Sequence, residues 1–447
     1  MSSKLARSLI APIALILVLG VYFIPRVHDA VDRRVDDLRT QIKYYFSPPA
    51  EAVFLPTQQA EINAIVNATM QAHATQQAAS TAPATSRASP APTSAPTLTP
   101  TPLPPAVSLP GVVYVNQEGG YNLCAPANLT MALKFWGWKG SRDDVIRVVK
   151  PGENNPSESD YVRGKTDLNV MPYELVDFVN EHTELRALYR YGGDIELLET
   201  LVANGFPVVA EKGVYETDTT GRVSWMGHYL FVTGYDEATK MLLVQDSYLK
   251  GANYKVSYSD FVEGWHSFDR AFYVVYPSDR EADVLGVLGP YSDPQTAAHR
   301  ALDFANQEIN DSVGIPLFFA WFARGTSHVA LQEYADAANA YDQAFSVYAT
   351  LDPDYSTRPW RMMWYQTGPY FAYFYSGRYQ DAISLANYTL DKVTGRPTLE
   401  ESLYWRGMAE YTLGQTAAAI ADVQKSLYYN KNFKASIAQL QQWGVAP

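Results

Sequence analysis

A run of Ser, Thr, Pro and Ala from about residue 80 to 110 (STAPATSRASPAPTSAPTLTPTPLPPA) divides this chain of 447 residues. Its side chains are too small and polar to bury a core, and its prolines withhold backbone donors, so it is expected to stay extended and solvated. No compact fold runs through such a segment. It reads as a stalk that holds a folded part away from a surface. The rest of the chain has ample material for cores, with 47% apolar residues, and is long enough for two or three domains. The net charge of −12 and the lack of a Lys/Arg-rich run argue against a nucleic-acid partner.

Before the stalk, residues 9–24 (LIAPIALILVLGVYFI) carry no charge, and Lys4 and Arg7 precede them. That is a little short of the roughly 20 residues that cross a bilayer. The basic start resembles a signal sequence, yet no small-x-small cleavage site follows. Residues 1–25 are therefore read as a cytoplasmic N-terminus and a single-pass transmembrane anchor. Residues 26–79, which open with VHDAVDRRVDDLRTQIKYYF, are read as a juxtamembrane helical segment. The chain beyond the stalk is then extracytoplasmic. Arg26, Arg33 and Arg34 on the far side weigh against this orientation, and secretion after signal cleavage is the alternative.

After the stalk, residues 111–280 read as a mixed α/β domain and residues 290–447 as helical throughout. The helical part repeats itself. Ala337, Ala382 and Ala419 each lie five residues after Gln332, Gly377 and Gly414, while Gly325, Tyr370 and Gly407 lie seven before them. The fragments EYADAANAYDQAF, GRYQDAISLANYTL and GQTAAAIADVQKSL are the expected second helices of three helix–turn–helix units. Small residues where two helices pack closely, with aromatics between, resemble the tetratricopeptide repeat. The Pro-containing loop LDPDYSTRPW accounts for the longer first interval.

The chemistry is expected in the middle domain. Cys124 is the only cysteine, in QEGGYNLCAPANLTMALKFWG. One thiol makes neither an intramolecular disulfide nor a multi-cysteine metal site, so it is an inert small residue or a nucleophile. Pro126 suits the first helical position, Leu129, Ala132, Leu133 and Trp136 fall on one face, and Gly137 ends the pattern. Cys124 then stands at or just before a helix N-terminus, where unpaired amides and the helix dipole favour thiolate. Farther on, HYLFVTGY and MLLVQDSY read as two strands of a hairpin around DEAT. If Tyr235 pairs with Thr239, His228 falls directly opposite Asp246, within reach of an imidazole–carboxylate hydrogen bond. Thiolate, imidazole and carboxylate are a nucleophile, base and orienter. The Gln117 side chain, seven residues before Cys124, is a candidate oxyanion donor beside the Cys124 amide.

This order of Gln, Cys at a helix start, a GHY strand and Asp at the end of the next strand resembles the papain-like cysteine peptidases of the double-glycine-leader, bacteriocin-processing type. It is closer to their stand-alone C39-like relatives. The resemblance covers about residues 111 to 277, through GFPVVAE, GHYLFVTGYD, LLVQDSY and AFYVVYP. It implies a papain-like α+β fold in which a helix bears the cysteine and an antiparallel sheet bears the histidine and aspartate. By that similarity Cys124 is the nucleophile, His228 the general base and acid, Asp246 its orienter and Gln117 part of the oxyanion hole. The chain departs from the family at Ala125, where glycine is usual, and in a Gln–Cys interval one residue longer than in the leader peptidases.

Other features read more plainly. RGKTD (163–167) lacks the first glycine of a phosphate-binding loop and is a loop before the helix MPYELVDFVNEH. His182 and His266 have no ligand cluster around them, so neither a metal nor a cofactor is expected. Trp225 fits a substrate groove or a core equally well. The expected activity is peptide- or amide-bond hydrolysis by a membrane-anchored cysteine peptidase, with the repeats docking substrate or a partner protein. A silent peptidase-fold adaptor and an acyltransferase or transglutaminase-like enzyme are the alternatives.

Overall fold

The computed structural model describes Tyr22 and residues 24–56, 102–118, 122–151, 168–218, 220–248, 250–396 and 398–447. The apolar run 9–24 and the stalk up to residue 101 lie almost wholly outside them, as does RGKTD. Among the described residues no helix is long and apolar enough to cross a membrane.

The charged segment after the apolar run forms helix α1, Pro25–Phe46, with proline in its first turn. This is where a ring without an N–H costs no hydrogen bond. The chain reappears as a short strand β1, Ala106–Ser108, paired with Asp236, Tyr235 and Gly234. The last residues of the expected 80–110 linker are therefore part of the sheet, and the folded unit begins before residue 111.

Helix α2 (Cys124–Phe135) follows, then α3 (Arg142–Val149) and α4 (Pro172–His182). They pack on one face of an antiparallel sheet made of β2 (Leu185–Arg190), β3 (Val208–Thr217), β4 (Val223–Asp236), β5 (Met241–Asp246), β6 (Gly251–Ser257) and β7 (Phe272–Pro277). Helices α5 (Ile195–Ala203) and α6 (Tyr258–Trp265) belong to a second core on the other face. Strand order is β2-β7-β3-β4-β5-β6, with β1 beside β4 just beyond the start of β3. Gly234 is needed there, because a Cβ would stand 2.5 Å from the Val107 carbonyl oxygen. Nearly every residue from Ala125 to Leu133 is buried. The helix that carries Cys124 is thus the central helix of a core, held all round rather than along one stripe.

The hairpin register differs from the symmetric one expected. Tyr235 pairs with Leu242, not Thr239, and Phe231 with Gln245, with a bulge between Val232 and Gly234. Continued along the strands, this register sets Asp246 across from Leu230 rather than His228. His228 and Asp246 are then diagonal neighbours on one face, which long polar side chains still bridge.

Past β7 the chain is helical: α7 (Glu281–Leu288), α8 (Pro294–Asp311), α9 (Gly314–Ala330), α10 (Tyr334–Thr350), the single turn α11 (Met362–Tyr365), α12 (Gly368–Tyr375), α13 (Tyr379–Tyr388), α14 (Glu400–Thr412), α15 (Thr416–Tyr429) and α16 (Lys434–Gln442). Three hairpins stand out: α9 with α10, α12 with α13, α14 with α15. Their turns place Gln332, Gly377 and Gly414 at φ values of 62°, 80° and 82°. Ala337, Ala382 and Ala419 are fully buried at the helix contacts. The small residues matter sterically. A Cβ on Gly325 would sit 2.6 Å from the Tyr341 ring, and one on Gly407 would sit 2.8 Å from the Ala419 carbonyl oxygen.

The loop 351–361 is more than a spacer. Arg361 reaches across to the peptidase-like part, where its guanidinium meets Asp218 at 2.6 Å, the Trp225 carbonyl at 3.2 Å and the Ser224 hydroxyl. It is stacked on Trp360 and Trp364, with ring centroids 3.8 and 5.1 Å away. Tyr355 donates to the same Asp218 carboxylate at 2.6 Å. Trp225, one of two readings in the sequence, is core: it is 1% exposed and stacked on Phe268. Burial pushes Asp218 up, but Thr220, Tyr355 and Arg361 outweigh it and bring the carboxyl down to about 2. That lies below the ordinary unfolded value near 3.9, so this contribution to stability is complete above about pH 4 and is lost as pH falls through about 2. Replacing Arg361 with Met is expected to cost about 3 kcal/mol, since it strands a buried carboxylate. Urea unfolding at pH 7 checks this, and a loss below about 0.5 kcal/mol would mean the pair is dispensable.

Candidate active site

Leu123 precedes α2 without a side-chain cap, so the first-turn amides are not taken by a neighbouring hydroxyl or carboxylate. Cys124 is the first residue of that helix and is half-buried. Pro126 stands third, not first as expected. His228 comes from β4 and Asp246 from the end of β5, each 7% exposed. His228 Nε2 lies 2.9 Å from Asp246 Oδ1. The other ring nitrogen, Nδ1, is then the one that shares a hydrogen bond with the Cys124 thiol. Asp246 also accepts from the Tyr248 amide at 2.8 Å, which holds the carboxylate in place.

The electrostatics follow from these contacts. Burial pushes the Cys124 thiol up, but the hydrogen bond and positive charge of His228, with backbone hydrogen bonds at Tyr229 and Ala125, outweigh it and leave the thiol below its ordinary range. Burial pulls His228 down, yet its hydrogen bonds to Asp246 and Cys124 and their charges raise it to about 10. Burial raises Asp246, and the bond and charge of His228 with the Tyr248 and Lys250 amides bring it below the usual carboxylate range. Both shifts favour the thiolate–imidazolium form of the pair over the thiol–imidazole form.

Gln117 lines the same cleft. Its backbone N–H donates to the Ser247 carbonyl at 2.8 Å, and its side-chain Oε1 accepts from the Ser247 hydroxyl at 3.0 Å. With the oxygen so engaged, the other end of the amide is a donor.

Two residues escaped the sequence reading. Asn128, one turn into α2 and fully buried, places its Nδ2 2.8 Å from the Cys124 carbonyl, 2.9 Å from the Tyr229 carbonyl and 3.2 Å from the Ser247 hydroxyl. It ties the cysteine helix to the histidine strand and to the turn that holds Gln117. Only its position four residues after Cys124 hints at this. Replacing Asn128 with Ala is expected to slow iodoacetamide labelling of Cys124 at pH 6 about tenfold and to destabilise the fold by about 1–3 kcal/mol. An unchanged labelling profile across pH, whatever the stability, would reduce Asn128 to a packing residue. The second is Glu211 of β3, 5% exposed and lining the cleft. Burial pushes its carboxyl well up, against a hydrogen bond from Tyr229, and the nearby Cys124 charge adds to the rise.

The cleft has a volume of about 420 Å³. Its walls come from the peptidase-like part, from α1 (Asp36, Asp37, Thr40, Tyr44) and from the helical part (Arg361, Trp364, Tyr365, Arg396). Gly227, before His228, has no room for a side chain: a Cβ would lie 2.7 Å from Phe268 and 3.0 Å from Tyr365. Neither His182 nor His266, the other histidines of the middle domain, joins the site. His182 ends α4 against Phe178, and His266 lies 3.7 Å from Glu308 of α8. Among the described residues, one group offers metal-ligand atoms within 4.8 Å of one another, His328, Glu333 and Asp336, on the helical part.

The architecture is the papain-like peptidase fold, with Cys124 at the start of its central helix and His228 and Asp246 on its antiparallel sheet. Residues 110–272 match the Peptidase_C39 like family, a span of less than half of the chain. Three solved structures are similar to this chain. A C39-like peptidase from Bacillus anthracis is 18% identical, over 38% of this chain and 96% of that one, with a TM-score of 0.30. The peptidase domain of a bifunctional ABC transporter from Streptococcus is 15% identical, over 37% and 100%, with a TM-score of 0.27. A cysteine protease from Xylella fastidiosa is 17% identical, over 39% and 87%, with a TM-score of 0.26. No curated protein matched.

Proposed function

We infer that this protein is a cysteine peptidase that hydrolyses a peptide or amide bond through Cys124, His228 and Asp246. The observation that carries the reading is the hydrogen-bonded line from Cys124 through His228 to Asp246, with the thiol lowered and the imidazole raised. The Cys124 sulfur attacks the carbonyl carbon, and a C–S bond forms as the carbonyl π electrons move to oxygen. The Gln117 amide and the Cys124 backbone N–H hold that oxyanion. The His228 imidazolium gives its proton to the leaving nitrogen, the C–N bond breaks, and a thioester remains. Water, deprotonated by the now neutral His228, attacks the thioester and releases the acid, restoring thiolate and imidazolium.

Around this centre the reading extends to the whole chain. Residues 9–24 would anchor it in a membrane with the bulk outside the cytoplasm. The three helical hairpins would act as tetratricopeptide-like units that dock substrate or a partner. The test is incubation of the full chain with a mixed peptide library, with and without an added amine acceptor, followed by mass spectrometry. Cleaved peptides that disappear with Cys124→Ala support the hydrolase. Products carrying the amine in excess over free acids would instead mean a transferase. No turnover, with Cys124 reacting as an ordinary thiol, would leave a binding protein on a peptidase fold.

A further inference from the structure

The substrate cleft is not closed by the segment that resembles a peptidase. One wall comes from α1, which precedes the Pro-rich stalk and is separated from Cys124 by more than 70 residues. We propose that α1 is a built wall of the substrate-binding site, so that its inward face helps to set which peptide fits beside Cys124. The inference rests on the cleft being where the thiolate meets its substrate.

The face is defined by spacing. Asp36, Thr40 and Tyr44 recur every four residues and all line the cleft, as does Asp37. The helix is docked by more than surface contact. Tyr44, Ala50 and Phe54 are buried in the core of the helical part. The Tyr44 hydroxyl donates to the Val393 carbonyl at 3.1 Å, and Lys43 Nζ donates to the Thr394 carbonyl at 2.7 Å. The buried guanidinium of Arg358 donates to the Ala50 carbonyl. At the cleft edge Arg396 pairs with Asp36, and Gly395 leaves room for Thr40, whose Oγ1 would lie 2.6 Å from a Cβ there. A segment inserted in a hydrophobic core by an aromatic pair stays in place while a ligand comes and goes, whereas a strap held only by exposed charges is easily released. That contrast favours a fixed wall over a removable cover.

The lone cysteine allows a direct test on the full chain. Benzophenone-4-iodoacetamide is attached to Cys124 at pH 9, where even an ordinary thiol reacts, so the labelling does not depend on catalysis. The adduct is irradiated and the cross-linked peptides are mapped by mass spectrometry. Cross-links within residues 36–44, besides those to the peptidase-like part, are expected. Cross-links confined to residues 102–277 would overturn the proposal. A second measurement compares labelling rates. Thr40→Trp should slow the benzophenone reagent several-fold while small iodoacetamide reacts as before, and Ile42→Trp, on the exposed side of the same helix at 50% exposure, should change neither. Faster labelling by the bulky reagent in Thr40→Trp would mean that α1 covers the site, and a wild-type rate would mean it does not touch it. Cross-links to α1 without peptide hydrolysis would leave the wall standing and remove the peptidase reading.

Discussion

Replacing His228 with Ala is expected to slow alkylation of Cys124 by iodoacetamide at pH 6 roughly 100-fold or more. The argument is electrostatic. In the folded chain burial opposes the thiolate, and the hydrogen bond and charge of His228 overcome that opposition. Without the imidazolium the burial cost stands alone, and the thiol returns to or above the ordinary value near 8.5. At pH 6 an ordinary thiol is about 0.3% thiolate, and the greater intrinsic nucleophilicity of a more basic thiolate recovers only part of that loss. The wild-type protein should label fast from the lowered thiol value upward. Any hydrolytic activity should fall again as His228 loses its proton near pH 10. Stopped-flow alkylation from pH 4 to 10 reads the first limb, and the pH profile of peptide hydrolysis reads the second. A wild-type profile with a single rise near pH 8.5, unchanged by the substitution, would rule out the ion pair.

Changing Asp246 to Asn should lower kcat/KM for a cleaved peptide by roughly 10²- to 10⁴-fold, mostly in kcat. Asp246 accepts from His228 Nε2 and from the Tyr248 amide. Both bonds are made to Oδ1, so Asn can present a neutral carbonyl oxygen there but no charge. The imidazole then loses the carboxylate that stabilises its charged form. Substrate contacts along the cleft are untouched, so KM should change little. Steady-state kinetics with thermal melts of both proteins separates this from unfolding. A variant that keeps its melting temperature and its kcat would remove Asp246 from the mechanism.

How far the site could be read from sequence varied by residue. Cys124 was legible because the pattern of a helix start is local: loop residues, a proline, then a buried apolar run. His228 and Asp246 were legible as neighbours because hairpin strands bring residues together over a short stretch of chain. Their pairing was not, because the partner of Tyr235 lies three residues farther on than assumed, at Leu242, and the bulge at Thr233 takes only one of those residues back. The contact survives as a diagonal one, since an imidazole and a carboxylate tolerate such an offset. Glu211 gave no signal, because a glutamate in a strand is usually solvated and only its burial in the folded chain pushes its carboxyl up. Asn128 was hidden for the same reason: its three acceptors come from residues 124, 229 and 247.

By itself the sequence determined the local and periodic features. These are a helix that begins at its only cysteine, a histidine hairpin, and helical pairs whose turns fall at Gln332, Gly377 and Gly414. All rest on interactions within a few residues, where composition and spacing act directly. Tertiary structure alone decided what closes the cleft. Helix α1 is seated by Tyr44, Ala50 and Phe54 in a core built some 300 residues later, and Arg361 is clamped between two tryptophans and Asp218. Such contacts depend on which buried surfaces find each other when distant segments pack, and no local pattern records that choice.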